Sequence, residues 1–217
     1  QPMLDLALFK RTTFSTSVIS AMMNYICVYS ILFLLPFYLI QGREFNPAYA
    51  GMILTIQPIV MAIVAPISGM LSDRIGVQFP GTIGLFTLGI GIYSLSRLGF
   101  NSSILDIAIA LSIVGLGTGI FISPNNSALM GSAPHNRQGI AAGVMATARS
   151  VGMVMGVGIA GAIFSTALRN HQSLPENSRF IIATQTSFLP MVVFSMIGLI
   201  STAIRGKNFQ MRNEPGR

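Results

Sequence analysis

Charge is scarce in this sequence. Only 9% of its 217 residues are charged, against roughly a quarter in an ordinary soluble domain. Too few charges remain to cover a soluble fold, while 52% of the residues are hydrophobic. One cysteine, Cys27, excludes a disulfide framework and a cysteine metal cluster. The two histidines, His135 and His171, sit in separate connecting segments and form no metal-ligand constellation. No glycine-rich loop ending in Lys-Ser/Thr is present, so no nucleotide or other cofactor is called for. Acidic residues number six, and none lies in the middle of an apolar block; Asp106 stands only at the start of one. The titratable group that proton-coupled transport usually needs is therefore not supplied by these residues. The expectation is a membrane protein and not an enzyme.

What is present is a series of long apolar blocks, several near or beyond the roughly 18 residues that mark a membrane span. Spans are predicted at about 14–40, 50–71, 79–95, 104–123, 139–168 and 187–204. None alternates polar and apolar residues as a barrel strand does, so the fold class is all-α, a six-transmembrane-helix bundle. The 22 glycines fit that reading, since membrane helices use small residues to approach closely. The 13 basic residues are scattered in ones and twos between the blocks, without the stripe and aromatic platform of a nucleic-acid binder. The partner expected first is the lipid bilayer. Residues 1–9 have no signal-peptide pattern and no initiator methionine, so the chain is expected to be a fragment.

Six crossings put both ends on one side. That side holds Lys10, Arg11, Arg74, Arg137, Arg205, Lys207, Arg212 and Arg217; the other holds Arg43, Arg97, Arg169 and Arg179. Eight against four predicts that both ends face the cytoplasm in a cell membrane. Prolines 36, 58 and 66 are expected to bend the first two helices, and Pro124 to end the fourth. Ala148, Gly152, Gly156 and Ala160 recur every four residues and make a smooth stripe on the fifth. It serves either tight static packing or helices that slide during alternating access.

Three constellations stand out. The string Gly69-Met70-Leu71-Ser72-Asp73-Arg74-Ile75-Gly76 reads as a helix reversal with charges held at the surface. It is either a hydrophilic hairpin or a gating turn. Pro124-Asn125-Asn126, with Arg137 and Gly139 further on, reads as a helix cap and loop, or as a gate element packing on the Asp73 turn. Arg149, about ten residues into the fifth span, must snorkel or find an acceptor, with Asp73 the first carboxylate to consider. Asn24 and Gln57 are polar inside spans, and either lines a cavity or makes one interhelical hydrogen bond.

These residues carry a resemblance. The Gly69, Asp73, Arg74 and Gly76 pattern is similar to the helix-reversal signature of the major facilitator superfamily in its second-half copy. Val77-Gln78 stands where the first-half copy often has a basic pair. Gly115, Gly117, Gly119, Phe121, Pro124, Asn125 and Asn126, followed by Gly131, Pro134, Arg137 and Gly139, resemble the fourteen-helix drug:proton antiporter group. Ala146-Thr147-Ala148-Arg149 with Gly152 and Gly156 continues the likeness, and the run from Leu4 to Arg11 looks like that group's lead-in. The resemblance implies the C-terminal half of such a transporter, whose missing N-terminal six-helix bundle is a partner. It further implies a small-molecule substrate of hydrophobic or cationic character, exported in exchange for protons. Export of a specific metabolite or siderophore is the alternative, and a non-transporting membrane assembly protein is a third reading.

Overall fold

The computed structural model describes residues 6–210, with side chains described over 8–204. The lead-in residues Leu4 and Asp5 and the tail cations Arg212 and Arg217 lie outside the described residues, as do the side chains of Arg205 and Lys207. Among the described residues six helices are long and apolar enough to cross a membrane, and they are labelled α1 (Thr12–Gly42), α2 (Pro47–Ile75), α3 (Gln78–Ser96), α4 (Ile104–Ser132), α5 (Gln138–Asn170) and α6 (Glu176–Gln210). The protein is an all-α bundle of six transmembrane helices.

The helices differ from the predicted spans chiefly at their ends. Hydropathy sees only the stretch that lipid would solvate, whereas polar turns continue a helix beyond it. Thus α6 begins at Glu176, in polar sequence, rather than near residue 187. The fourth helix does not end at Pro124. It runs on to Ser132 with Pro124, Asn125 and Asn126 inside it. A proline at this position leaves the carbonyl four residues earlier, that of Ile120, without its helical donor. The Ser68 hydroxyl of α2 donates to that carbonyl at 2.7 Å, so the freed acceptor is satisfied and the helix persists.

Pro36 does not stop α1 either; the helix passes into a π-turn, Tyr38–Gly42. In α2 the regular helix is interrupted near Pro58 and runs unbroken through Pro66. The helix divides into Pro47–Leu54 and Ile56–Ile75 at Thr55, because Pro58 has no N–H for the carbonyl of Leu54.

Packing follows a simple scheme. Helix α1 packs on α5 and α6, α4 packs on α2 and α3, and α3 meets α6 while α1 meets α4. Exchanging α1–α3 for α4–α6 leaves this scheme unchanged. The two triplets enter the membrane from opposite ends, so the bundle is an inverted repeat of three helices. The core lies along α1, α3, α4 and α6, with Ile26, Leu34, Leu35, Leu85, Leu88, Val114 and Phe188 fully buried. Helices α2 and α5 flank it and are the least buried of the six.

Candidate functional site

Glycine decides how closely the flanking helices approach. On α4, Gly115 faces the Gln57 carbonyl and Val60 of α2, and Gly119 faces Val64 and the Met61 carbonyl. Gly117 turns the other way, onto Leu88 of α3. Gly69 of α2 completes the seam, since a Cβ there would lie 2.6 Å from the Ser123 hydroxyl. The first two constellations are thereby brought together: Ser68 and Gly69 lie against Ile120 and Ser123, next to Pro124.

The Asp73 end of the bundle is assembled from several reversals. Gly76 caps α2 with φ +85° and ψ 161°, a region essentially confined to glycine. Asp73 and Arg74 are exposed, and neither makes an ion pair among the described residues. Asn125 is buried and its amide donates to the Ser17 carbonyl of α1 at 3.1 Å; Asn126 is half-buried. Arg11 reaches the Ser132 carbonyl at 2.7 Å, a cation on the carbonyl end of α4. A one-turn 3-10 helix, His135–Arg137, leads into α5, with Arg137 at the N-cap position and Gly139 exposed behind it.

On the opposite flank, the small-residue stripe of α5 faces α1. Ala148, Gly152, Gly156 and Ala160 are all buried. Gly152 meets Tyr25 and the Met22 carbonyl, and Gly156 meets the Ile26 backbone. Arg149 is exposed, and among the described residues nothing pairs it with Asp73. The two lie on helices of opposite flanks, and the helix that carries Arg149 packs on α1 and α6 instead.

Asn24 and Thr118 are both buried, and neither the Asn24 amide nitrogen nor the Thr118 hydroxyl makes a hydrogen bond among the described residues. They stand two turns from Ser17 and Asn125 on antiparallel helices, which places them at one depth in the α1–α4 contact. Gln57 is half-buried, its carbonyl on the α4 seam. Because burying an unpaired hydroxyl costs about 1–3 kcal/mol, Thr118→Val should leave stability unchanged or raise it by about 1 kcal/mol. A thermal melt of the detergent-solubilised protein reads this out, and a clear fall in melting temperature would refute it.

The other end carries a cluster that the sequence did not single out. The π-turn rotates Arg43 onto the loop between α3 and α4. Its guanidinium donates to the Ser102 carbonyl at 2.6 Å, the Gly99 carbonyl at 3.4 Å and the Tyr38 hydroxyl at 3.3 Å. Tyr38, itself buried, donates to the Gly99 carbonyl at 2.9 Å. The Phe45 and Phe100 rings flank the cation at 5.2 and 6.0 Å. Gln185 of α6 donates to the Leu98 carbonyl at 2.7 Å. The only forewarning was an arginine beside tyrosine- and phenylalanine-rich sequence, which is common near any membrane surface.

Comparison with known proteins follows the same line. Residues 2–157 match the family model for the Major Facilitator Superfamily. The chain is 32% identical over 203 residues to the riboflavin transporter RibZ of Clostridioides difficile, covering 93% of this chain and 44% of that one. It is 29% identical over 208 residues to the uncharacterized transporter YebQ of Escherichia coli, covering 95% of this chain and 44% of the relative. To the multidrug resistance protein Stp of Mycobacterium tuberculosis it is 29% identical over 167 residues, 77% of this chain and 31% of that protein. The chain thus spans less than half the length of these relatives.

Proposed function

Given that the chain belongs to the major facilitator superfamily, a family of transport proteins and not enzymes, we propose that it is the C-terminal six-helix domain of a proton-coupled exporter of the fourteen-helix drug:proton antiporter group. The observation that carries the reading is that the outside of the bundle has two chemistries. Along α3 and α6 the exposed residues are large and apolar: Phe79, Ile83, Phe86, Ile90 and Tyr93, then Val193, Met196, Ile197 and Ile200. That face suits lipid. Along α5 the exposed residues are mostly small or polar, including Gly143, Ala146, Thr147, Arg149, Ser150, Ala162, Ser165 and Thr166, with an apolar patch of Val151, Met153, Val154 and Met155 between them. Such a face suits close helix packing and water, since a membrane-depth charge faces protein or a wet cavity rather than lipid.

In this proposal a second six-helix bundle of the same protein covers parts of α2 and α5, and substrate passes between the two bundles. The Asp73 end faces the cytoplasm, in keeping with the basic excess there. The Asp73 turn and the Ser68–Pro124 seam form the gate at that end, while the α1–α5 and α2–α4 glycine seams let helices shift. Relatives named for multidrug resistance and multidrug efflux support export of drugs. The relative named as a riboflavin transporter supports the second reading, export of one specific metabolite.

The test is ethidium efflux from cells expressing the gene product that contains this chain, with and without an uncoupler. Efflux is expected to collapse with the uncoupler, and Asp73→Asn to lower transport per inserted molecule more than it lowers insertion. No uncoupler-sensitive export across a broad compound panel would defeat the proposal.

A further inference from the structure

Arg149 brings a full charge into α5, eleven residues past Gln138, or about 16 Å along the axis. It is exposed, and among the described residues no carboxylate answers it. What lies beside it is aromatic. Gly152, one turn on from Arg149, admits Tyr25 to the α1–α5 contact: a Cβ on Gly152 would lie 2.8 Å from the Tyr25 Cβ. Tyr29, one turn along α1, holds its ring 6.4 Å from that of Tyr25. Both tyrosines are half-exposed. One turn in the other direction, Met22 enters a groove of about 720 Å³ between α1 and α5, lined also by Val18, Val144, Thr147 and Val151. A cation, two phenol rings and an apolar trough therefore adjoin one another on one wall.

We propose that this wall is a binding subsite for an organic anion with an aromatic or apolar body. The guanidinium fork takes a carboxylate or sulfonate in two parallel hydrogen bonds. The ring system stacks against Tyr25 and Tyr29, and the apolar remainder lies in the groove. A cationic compound of the same shape is repelled, because a like charge in a partly desolvated site is costly. The inference rests on the reading that the α1–α5 face borders a water-filled path. It departs from the hydrophobic or cationic character that the resemblance implies for the substrate, in favour of an anion at this one wall.

The gene product containing this chain, purified into phosphatidylcholine nanodiscs, is titrated with 2-naphthoate and with 2-naphthylmethylamine, two probes sharing one ring system. Naphthoate is expected to bind more tightly than the amine. Arg149→Gln should weaken naphthoate by at least about tenfold while leaving amine binding unchanged or stronger, which also reports that the variant is folded. Arg149→Lys should fall between, having the charge without the fork. Tyr25→Leu should weaken both probes.

Naphthoate that fails to bind, or that binds Arg149→Gln as well as the parent, overturns the proposal. So does displacement of naphthoate by added phosphatidylglycerol, which would assign the arginine to a lipid headgroup. Binding through Arg149 without export of ethidium or naphthoate from vesicles would end the efflux reading and leave the subsite standing. Ethidium export with naphthoate binding indifferent to Arg149 would end the subsite alone.

Discussion

Gly156→Val is expected to keep the bundle from assembling, whereas Gly158→Val, two residues along the same helix, is expected to be nearly silent. At Gly156 an added Cβ would begin 2.5 Å from the Ile26 carbonyl oxygen and 3.1 Å from its Cα. Both are backbone atoms of α1, which is itself pinned by α6 and α4, so neither can rotate away as a side-chain tip would. Overpacking of this kind costs about 1–3 kcal/mol when neighbours can shift, and here the neighbour is a rigid helix. At Gly158 nothing lies within 4 Å of the same added atom. The difference should appear as loss of the monodisperse peak in size-exclusion chromatography and a large fall in melting temperature for the first variant only. Equal behaviour of the two variants would mean that α1 and α5 are not held at this separation.

The second large effect is expected at the other end. Arg43→Ala removes the donor that ties the end of α1 to the loop between α3 and α4, leaving the Ser102 carbonyl without its 2.6 Å partner. Charge-assisted hydrogen bonds are worth about 1.5–3 kcal/mol each when half-buried, so a loss of roughly 2–3 kcal/mol is expected. It should be localised. Amide exchange in residues 97–103 should quicken, while α5 keeps its protection. Arg43→Lys should restore only part of it, because a single ammonium cannot reach both carbonyls as the guanidinium does. Unchanged exchange in the loop would show that the cluster is ornamental.

The six helices were legible because lipid imposes a coarse rule: an apolar run of sufficient length has one satisfactory backbone conformation. The smooth stripe on α5 was legible for the same kind of reason, since its four-residue spacing survives any choice of partner. The fate of Pro124 was not. Whether a proline ends a helix depends on whether something else serves the orphaned carbonyl, and that donor, Ser68, lies 56 positions earlier on another helix. Of the two readings given for Pro124-Asn125-Asn126, the cap and loop does not hold, since Asn125 lies inside α4 and its amide serves the Ser17 carbonyl of α1. The Arg149–Asp73 pairing was reasoned from charge alone. It required α2 and α5 to meet, and helix order along the chain does not say which helices become neighbours. Arg43 was invisible because its partners are backbone carbonyls, which every sequence has.

The π-turn at Tyr38–Gly42 has a meaning for descent as well as for packing. Such a turn accommodates one residue more than the regular helix would hold, the geometry that insertion of a single residue would produce. Without that residue, the last turn of α1 would present Arg43 about 100° away around the axis, and its guanidinium would leave the carbonyls of the neighbouring loop. Relatives that are one residue shorter here should therefore be compared with a gap inside 38–42, not at the loop. In those relatives the position that aligns with Arg43 is free to be something other than arginine.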